Sequence, residues 1–400
     1  MFKKGILLII VLASAMVLFM SSHTYAEKAR GVTEDMIKLG MIADMTGPTA
    51  TDAIPIATAF RNYFRHINNL GGINGRRVEI IVEDGRYSIP LNLAAFKKLL
   101  YRDKVLALYG MTNTGASIAL LPQYEKEKVP IISITVTERL VTPFNRYAFI
   151  VCPSYRDYVD AVFNYILEHF KLSASKKIVF VTWDSEYGKV GFGRAKEIAK
   201  KHNIKLTKEI IPLGVLDAIT QTLSIKRFNP DVVVLHHTVG GNVALLRDAK
   251  KFGISYPFIG TIHSCNDDTI KIARKAAEGF VGVHAFSSWY DDTPGMAKLR
   301  EITLKYETGT EKQDRIKGYS HGWANAMVWA EGMRRAGRDL NGETMVNGLE
   351  TIRDFNTGGV CGPITITPRD HKGGKYVRFY KANVDNLRLV PITEWTKAVK

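Results

Sequence analysis

Cysteine is scarce, with Cys152, Cys265 and Cys361 the only three in 400 residues. Their wide spacing forms neither a disulfide framework nor a CxxC metal knuckle, so the expected role is that of small buried hydrophobes, with one long-range bridge and a leftover thiol as the alternative. Phosphate-loop, HExxH and nucleophile-elbow sequences are missing altogether. Gly191-Phe192-Gly193 lacks both the preceding strand and the third glycine of a dinucleotide fingerprint. Long apolar runs are also missing apart from residues 5–20, which fall short of the ~20 residues that span a bilayer. What is present is an ordinary globular composition, 46% apolar and 24% charged, on a length that predicts two or three domains.

The first residues read as an address. Lys3 and Lys4 precede the apolar run, and Ser21-Ser22-His23-Thr24-Tyr25-Ala26 provides a small-residue exit, so a secretory signal peptide over residues 1–26, cut before Glu27, is expected. No cysteine follows the cut to take a lipid, and a soluble periplasmic product follows. Two of the 55 basic residues lie in the leader, leaving 53 against 39 acidic ones, a formal charge of +14. Nucleic-acid binders concentrate such charge in a stripe. Here Lys196, Lys200 and Lys201 sit with Glu197 on the polar face of a helical pattern, and no nucleic-acid partner is expected.

Strand-length apolar runs alternate with helical patterns. Strands are expected at 37–43, 78–82, 105–109 and 129–134, with helices at 56–67, 93–100 and 116–126 between them. A Pro-containing passage at 149–158 follows, and then a second series: strands at 177–182, 206–211, 232–235 and 258–262, helices at 190–202, 217–227 and 243–252. Helices near 296–308, 318–336 and 343–353 and strands at 364–367 and 376–380 complete the chain. Continuous apolar strands between helices mean parallel sheets covered on both faces, so the expected fold class is α/β, with two doubly wound parallel-sheet lobes. Ligands of such sheets sit beyond the carboxyl ends of the strands, which singles out residues 44–48, 110–114, 133–137, 183–187, 236–238 and 262–264. His236, His237, His263 and Cys265 share those ends, but adjacent histidines on a strand point to opposite faces, and no metal or cofactor is expected.

Leu70-Gly71-Gly72-Ile73-Asn74-Gly75-Arg76-Arg77-Val78-Glu79 resembles the GGINGR segment of the Leu/Ile/Val-binding protein family, the type I periplasmic solute-binding proteins of branched-chain amino acid ABC transporters. Thr46-Gly47-Pro48 before it and Val129-Pro130-Ile131-Ile132-Ser133, Trp183-Asp184-Ser185-Glu186-Tyr187-Gly188, Asn229-Pro230-Asp231 and Gly362-Pro363-Ile364-Thr365 after it look like further family segments, in family order. The resemblance implies lobes joined by three hinge crossovers near 150–153, 285–289 and 366–375, closing on a small molecule and delivering it to an inner-membrane permease. The N-terminal lobe would hold residues 27–150 and 286–366, the C-terminal lobe 151–285 and 367–400. A monomer is expected.

By the same resemblance Thr46 belongs to the first ligand loop, and Thr114, Thr135 and Thr137 match the positions that hold an amino acid's α-carboxylate. Asn113-Thr114-Gly115 lies where a helix begins, so free N–H groups would converge there on an anion, with a plain N-cap role for Thr114 as the alternative. Tyr187 matches a pocket tyrosine, beside Trp183, while His236 and His263 lie at strand ends. Where amino-acid binders place a carboxylate for the ammonium, this chain has Ile262, which cannot pair with one, and burying an unpaired charge is expensive. Asp52 could compensate, although an N-cap for a helix beginning near Pro55 is its simpler reading. Trp289 and Tyr290 are expected near the cleft. The expected function is a binding protein, not an enzyme, for a branched-chain amino acid, an amide or an aromatic or hydrophobic carboxylate. A ligand sensor and an exported metal-dependent enzyme built on the histidines are the alternatives.

Overall fold

A computed structural model describes residues 29–399; the leader assigned to 1–26 lies outside them. The chain opens with β1 (Met36–Ala43), α1 (Ala50–Asn69), β2 (Arg77–Asp84), α2 (Ile89–Lys97), β3 (Ala107–Gly110), α3 (Thr114–Ala119), α4 (Leu121–Lys126), β4 (Ile131–Ser133) and β5 (Ala148–Phe149). These strands form one parallel sheet in the order β2-β1-β3-β4-β5. Both its faces are covered, which is why β1 can bury every residue from Leu39 to Ala43. α1 turns Ile56, Phe60 and Phe64 inward, and the Phe60 ring stacks on Tyr109 of β3 at 3.9 Å.

The second series runs α5 (Tyr155–His169), β6 (Lys177–Thr182), α6 (Glu186–His202), β7 (Lys205–Ile210), α7 (Ile219–Phe228), β8 (Val232–Leu235), α8 (Val239–Lys251), β9 (Phe258–Gly260), α9 (Asp267–Ala273) and β10 (Val281–His284). Its parallel strands lie in the order β7-β6-β8-β9-β10, the same plan as the first sheet. Three helices then return to the first sheet: α10 (Pro294–Tyr306), α11 (Lys317–Ala336) and α12 (Gly342–Leu349). α11 lies so close to α1 that a Cβ at Gly322 would come 2.1 Å from the Ile56 carbonyl oxygen. The chain ends with β11 (Tyr376–Asn383), β12 (Arg388–Pro391) and β13 (Thr396–Lys397) on the second sheet. The passages between sheets are tied to one another, with Ile150 N donating to His371 O at 3.1 Å and Ser287 N to Val360 O at 2.8 Å.

Several local expectations change. β11 is antiparallel to both β10 and β12; with β12 the cause is the short turn 384–387, which can join only antiparallel strands. The 116–126 pattern breaks at Leu120 into α3 and α4, with Pro122 in the first turn of α4, where its missing N–H costs nothing. The 364–367 segment forms only isolated bridges, Ile364 pairing with Phe355 and Gly374. The Pro-containing passage gives way to α5, opened by a capping box in which Ser154 N donates to Asp157 Oδ2 at 2.8 Å and Asp157 N to Ser154 Oγ. All three cysteines are buried and free.

Candidate ligand cleft

The order 2-1-3-4-5 reverses direction between its first and third strands, and a crevice opens there because neighbouring connections leave toward opposite faces. Both sheets have such a point, at β1/β3 and at β6/β8. One cavity of about 410 Å³, its open mouth included, takes lining residues from the loops beyond both. From the first sheet come Thr49 and Asp52, Tyr87, Thr112 and Thr114, and Ile134 and Thr135; from the second come Trp183 and Tyr187, Thr238 and His263. Tyr155, on the first turn of the crossover helix α5, completes the wall.

The first-sheet wall offers hydroxyls. Thr135 Oγ1 lies 2.7 Å from Ser117 Oγ and 2.9 Å from Ser133 Oγ, while the buried Thr112 Oγ1 has no hydrogen-bond partner. Asn113 stays out of the lining and caps α3, accepting from Ala116 N at 3.0 Å and donating Nδ2 to Tyr87 O at 2.6 Å. Thr114 is the first residue of α3, so the cap belongs to Asn113 and leaves the Thr114 side chain to the cavity.

The second-sheet wall is aromatic. Trp183 stacks on Tyr187 at 4.4 Å, and Tyr155 meets Tyr187 edge-on at 4.7 Å. His236 sits behind this wall, stacked on Tyr187 at 3.8 Å with Nδ1 2.8 Å from Thr261 Oγ1, and supports the tyrosine from outside the cavity. Its neighbour His237 places Nε2 2.8 Å from Ile211 O, and among the described residues no group of three or more His, Cys, Asp or Glu could hold a metal ion.

Asp52 is not the helix cap. α1 begins at Ala50, with Pro55 inside it, so Asp52 falls in the first turn and faces the cavity. Its Oδ1 accepts from Asn266 Nδ2 at 2.8 Å, a bond from the first sheet's helix α1 to the N-cap of α9 on the second, while Oδ2 has no partner. Burial pushes its carboxyl up to about 7.

Other residues singled out from the sequence lie elsewhere. Thr46 is exposed and donates to Asp84 Oδ2 at 2.6 Å; Thr49, which donates Oγ1 to Asp44 Oδ2 at 2.7 Å, lines the cavity instead. Thr137 is fully buried outside the lining, as N-cap of a 3-10 turn over 138–140. Ile262 lines a smaller adjoining chamber that shares Asp52, Ile56 and His263 with the cavity. Trp289 packs edge-on against Tyr319 at 6.1 Å, and Tyr290 lies under the Arg388 guanidinium at 4.7 Å, both away from the lining. Sequence reasoning missed Thr49, Tyr87, Thr112 and Tyr155. Thr112 lay within a strand-end segment already singled out, whereas Tyr87 and Tyr155 reach the cavity only through tertiary placement.

Among the described residues no helix is long and apolar enough to cross a membrane. A sequence model of periplasmic binding proteins matches residues 36–386. Leu/Ile/Val-binding protein homolog 1 of Brucella melitensis is 26% identical over 251 residues, covering 61% of this chain. That match spans 65% of the relative's own length, just under two thirds. The fold is that of a branched chain amino acid ABC transporter structure from Thermus thermophilus with bound valine, at a TM-score of 0.84 and 24% identity over 92% of this chain and 97% of that one. It is also that of a fatty acid ABC transporter substrate-binding protein from Thermomonospora curvata, at 0.83 and 20% identity over 93% and 95%. The family match covers nearly all of the two-sheet structure, and the chain belongs to the periplasmic binding protein family.

Proposed function

We propose that the protein is an extracytoplasmic solute-binding component of an ABC importer. It captures a small organic carboxylate between its lobes and hands it to a membrane permease. The observation that carries this reading is a single cavity lined from the switch points of both sheets, so that a ligand stabilises the closed form by touching both lobes at once. Residues 1–26 act as the export signal, and the lobes meet at crossovers near 150–153, 285–289 and 366–375.

The ligand's carboxylate lies at Thr112, Thr114 and Thr135, and its apolar body lies against Tyr155, Trp183 and Tyr187. The ligands named for the two similar structures, valine and a fatty acid, share a carboxylate and little else. Branched-chain amino acids and aromatic or hydrophobic carboxylates are therefore the compounds to test, with amides that lack a carboxylate as the contrast. Mass spectrometry of solute released by denaturing freshly purified protein identifies the natural one. Recovery of a carboxylic acid whose titration is lost in Thr114→Val supports the reading; a bound solute without any carboxylate refutes it.

A further inference from the structure

Helices run against the strands of a parallel sheet, so α6, α7, α8 and α9 all end at the pole of the second sheet opposite the cleft. Each end carries a consecutive basic pair: Lys200-Lys201, Lys226-Arg227, Lys250-Lys251 and Arg274-Lys275. All eight side chains are exposed, and among the described residues none forms an ion pair. The pairs adjoin one another. Lys226 Nζ donates to Phe252 O, just past α8, and Lys250 Nζ to Lys275 O, both at 3.0 Å. The turns after α6 and α7 both hydrogen-bond the start of β6, through Lys205 N and Asp231 N. Segments 200–204, 226–231, 250–257 and 274–280 set only two carboxylates against these cations, Glu278 and an Asp231 that accepts from Ser173 Oγ and Lys177 N.

One cation in a helix's last turn answers the helix dipole. Two in succession on four neighbouring helices build a field instead. Elsewhere such cations are matched. Arg334 and Arg335 of α11 both reach Glu331, and Glu197, which the sequence sets beside Lys200 and Lys201, is taken by Arg156 and Arg194. Six of the eight are lysines, point charges on flexible stems without the fork by which arginine reads a fixed carboxylate or phosphate. The rings of Phe228 and Phe252 lie under Lys177, Lys205 and Lys251, so they pair with cations rather than offer a platform for stacked bases. A diffuse anionic surface suits this arrangement best. We propose that this pole docks on the anionic headgroups of a phospholipid bilayer, leaving the cleft at the opposite end of the lobe free to exchange solute. The inference goes beyond the proposed function and requires no particular ligand.

The test is co-sedimentation of the mature chain with vesicles of equimolar phosphatidylglycerol and phosphatidylcholine, against phosphatidylcholine alone. Binding is expected only to the anionic vesicles, and it falls as salt rises from about 0.05 M to about 0.5 M and screening shortens. Each basic residue near such a surface adds roughly fivefold in affinity, so Lys201→Gln, Arg227→Gln and Lys251→Gln together should lose at least about tenfold. Lys97→Gln, Arg102→Gln and Lys104→Gln remove the same charge from exposed positions at the corresponding pole of the first sheet and should lose less than about threefold. Amine acylation of the wild-type chain, mapped by mass spectrometry, localises the contact without any variant: anionic vesicles should shield Lys201, Lys226 and Lys251 and leave Lys97 reactive. No binding to anionic vesicles at low salt, binding that persists at high salt, equal losses in the two triple variants, or shielding of Lys97 instead would each overturn the proposal. So would tighter binding to duplex DNA at the same salt, which would assign the pole to a nucleic acid.

Discussion

Replacing Asp52 by asparagine tests the electrostatics of the cleft without removing its shape. The carboxyl is raised from 3.8 to about 7, mainly by burial, with the Asn266 hydrogen bond pulling it down and Asp268 pushing it up. A group that holds its proton more tightly folded than unfolded adds stability in full below its unfolded value. That contribution is lost as pH rises through the folded value. The window therefore runs from about 4 to about 7, and about three pH units at 1.36 kcal/mol each give on the order of 4 kcal/mol. The substituted amide keeps an oxygen for Asn266 and has no proton to lose. Asp52→Asn should therefore match the wild type near pH 4 and exceed it by up to about 4 kcal/mol at pH 8, about 5 °C in Tm for a chain of this length. Urea unfolding at both pH values, followed by tryptophan fluorescence, measures the difference. A stability gap of the same size at pH 4 and pH 8 would refute the reasoning.

Asp267→Asn leaves Lys317 buried without its counter-charge and should cost about 3–5 kcal/mol, whereas replacing both residues by apolar ones of similar volume should restore most of the loss in denaturant titrations. Gly322→Ala forces α11 off the Ile56 carbonyl and should lower stability by roughly 1–3 kcal/mol; an unchanged Tm would mean that the two helices can separate freely. Cys265 and Cys361, both held up to about 12 by burial, should resist a thiol reagent at pH 8 in the native protein and react once it is unfolded.

Much of the architecture can be read from the chain because fully covered parallel strands are apolar along most of their length, as residues 39–43 of β1, 178–181 of β6 and all of β8 are. The GGINGR segment was equally legible, for a reason unrelated to ligand. It is the turn from α1 to β2, with Gly72, Asn74 and Gly75 at φ of 79°, 49° and 80°, where a Cβ on Gly72 would meet the Arg76 carbonyl oxygen at 2.0 Å. The site was less legible. Pro55 invited the reading that a helix starts beside it, but α1 begins a turn earlier, which converts Asp52 from a cap into a wall of the cleft. Tyr155 and Asn266 belong to the second half of the chain's plan and approach Asp52 and the threonines only when the lobes meet, which no local pattern encodes.

The close seat of Gly322 against Ile56 also has a temporal meaning. Synthesis proceeds from the N-terminus, and α11, whose Gly322 seats on the Ile56 carbonyl of α1, is not made until residues 317–336 emerge, about 260 positions later. Until then α1 can set Phe60 against Tyr109 of the first sheet but lacks the helix that packs beside it. The half of the molecule that begins first is thus completed late.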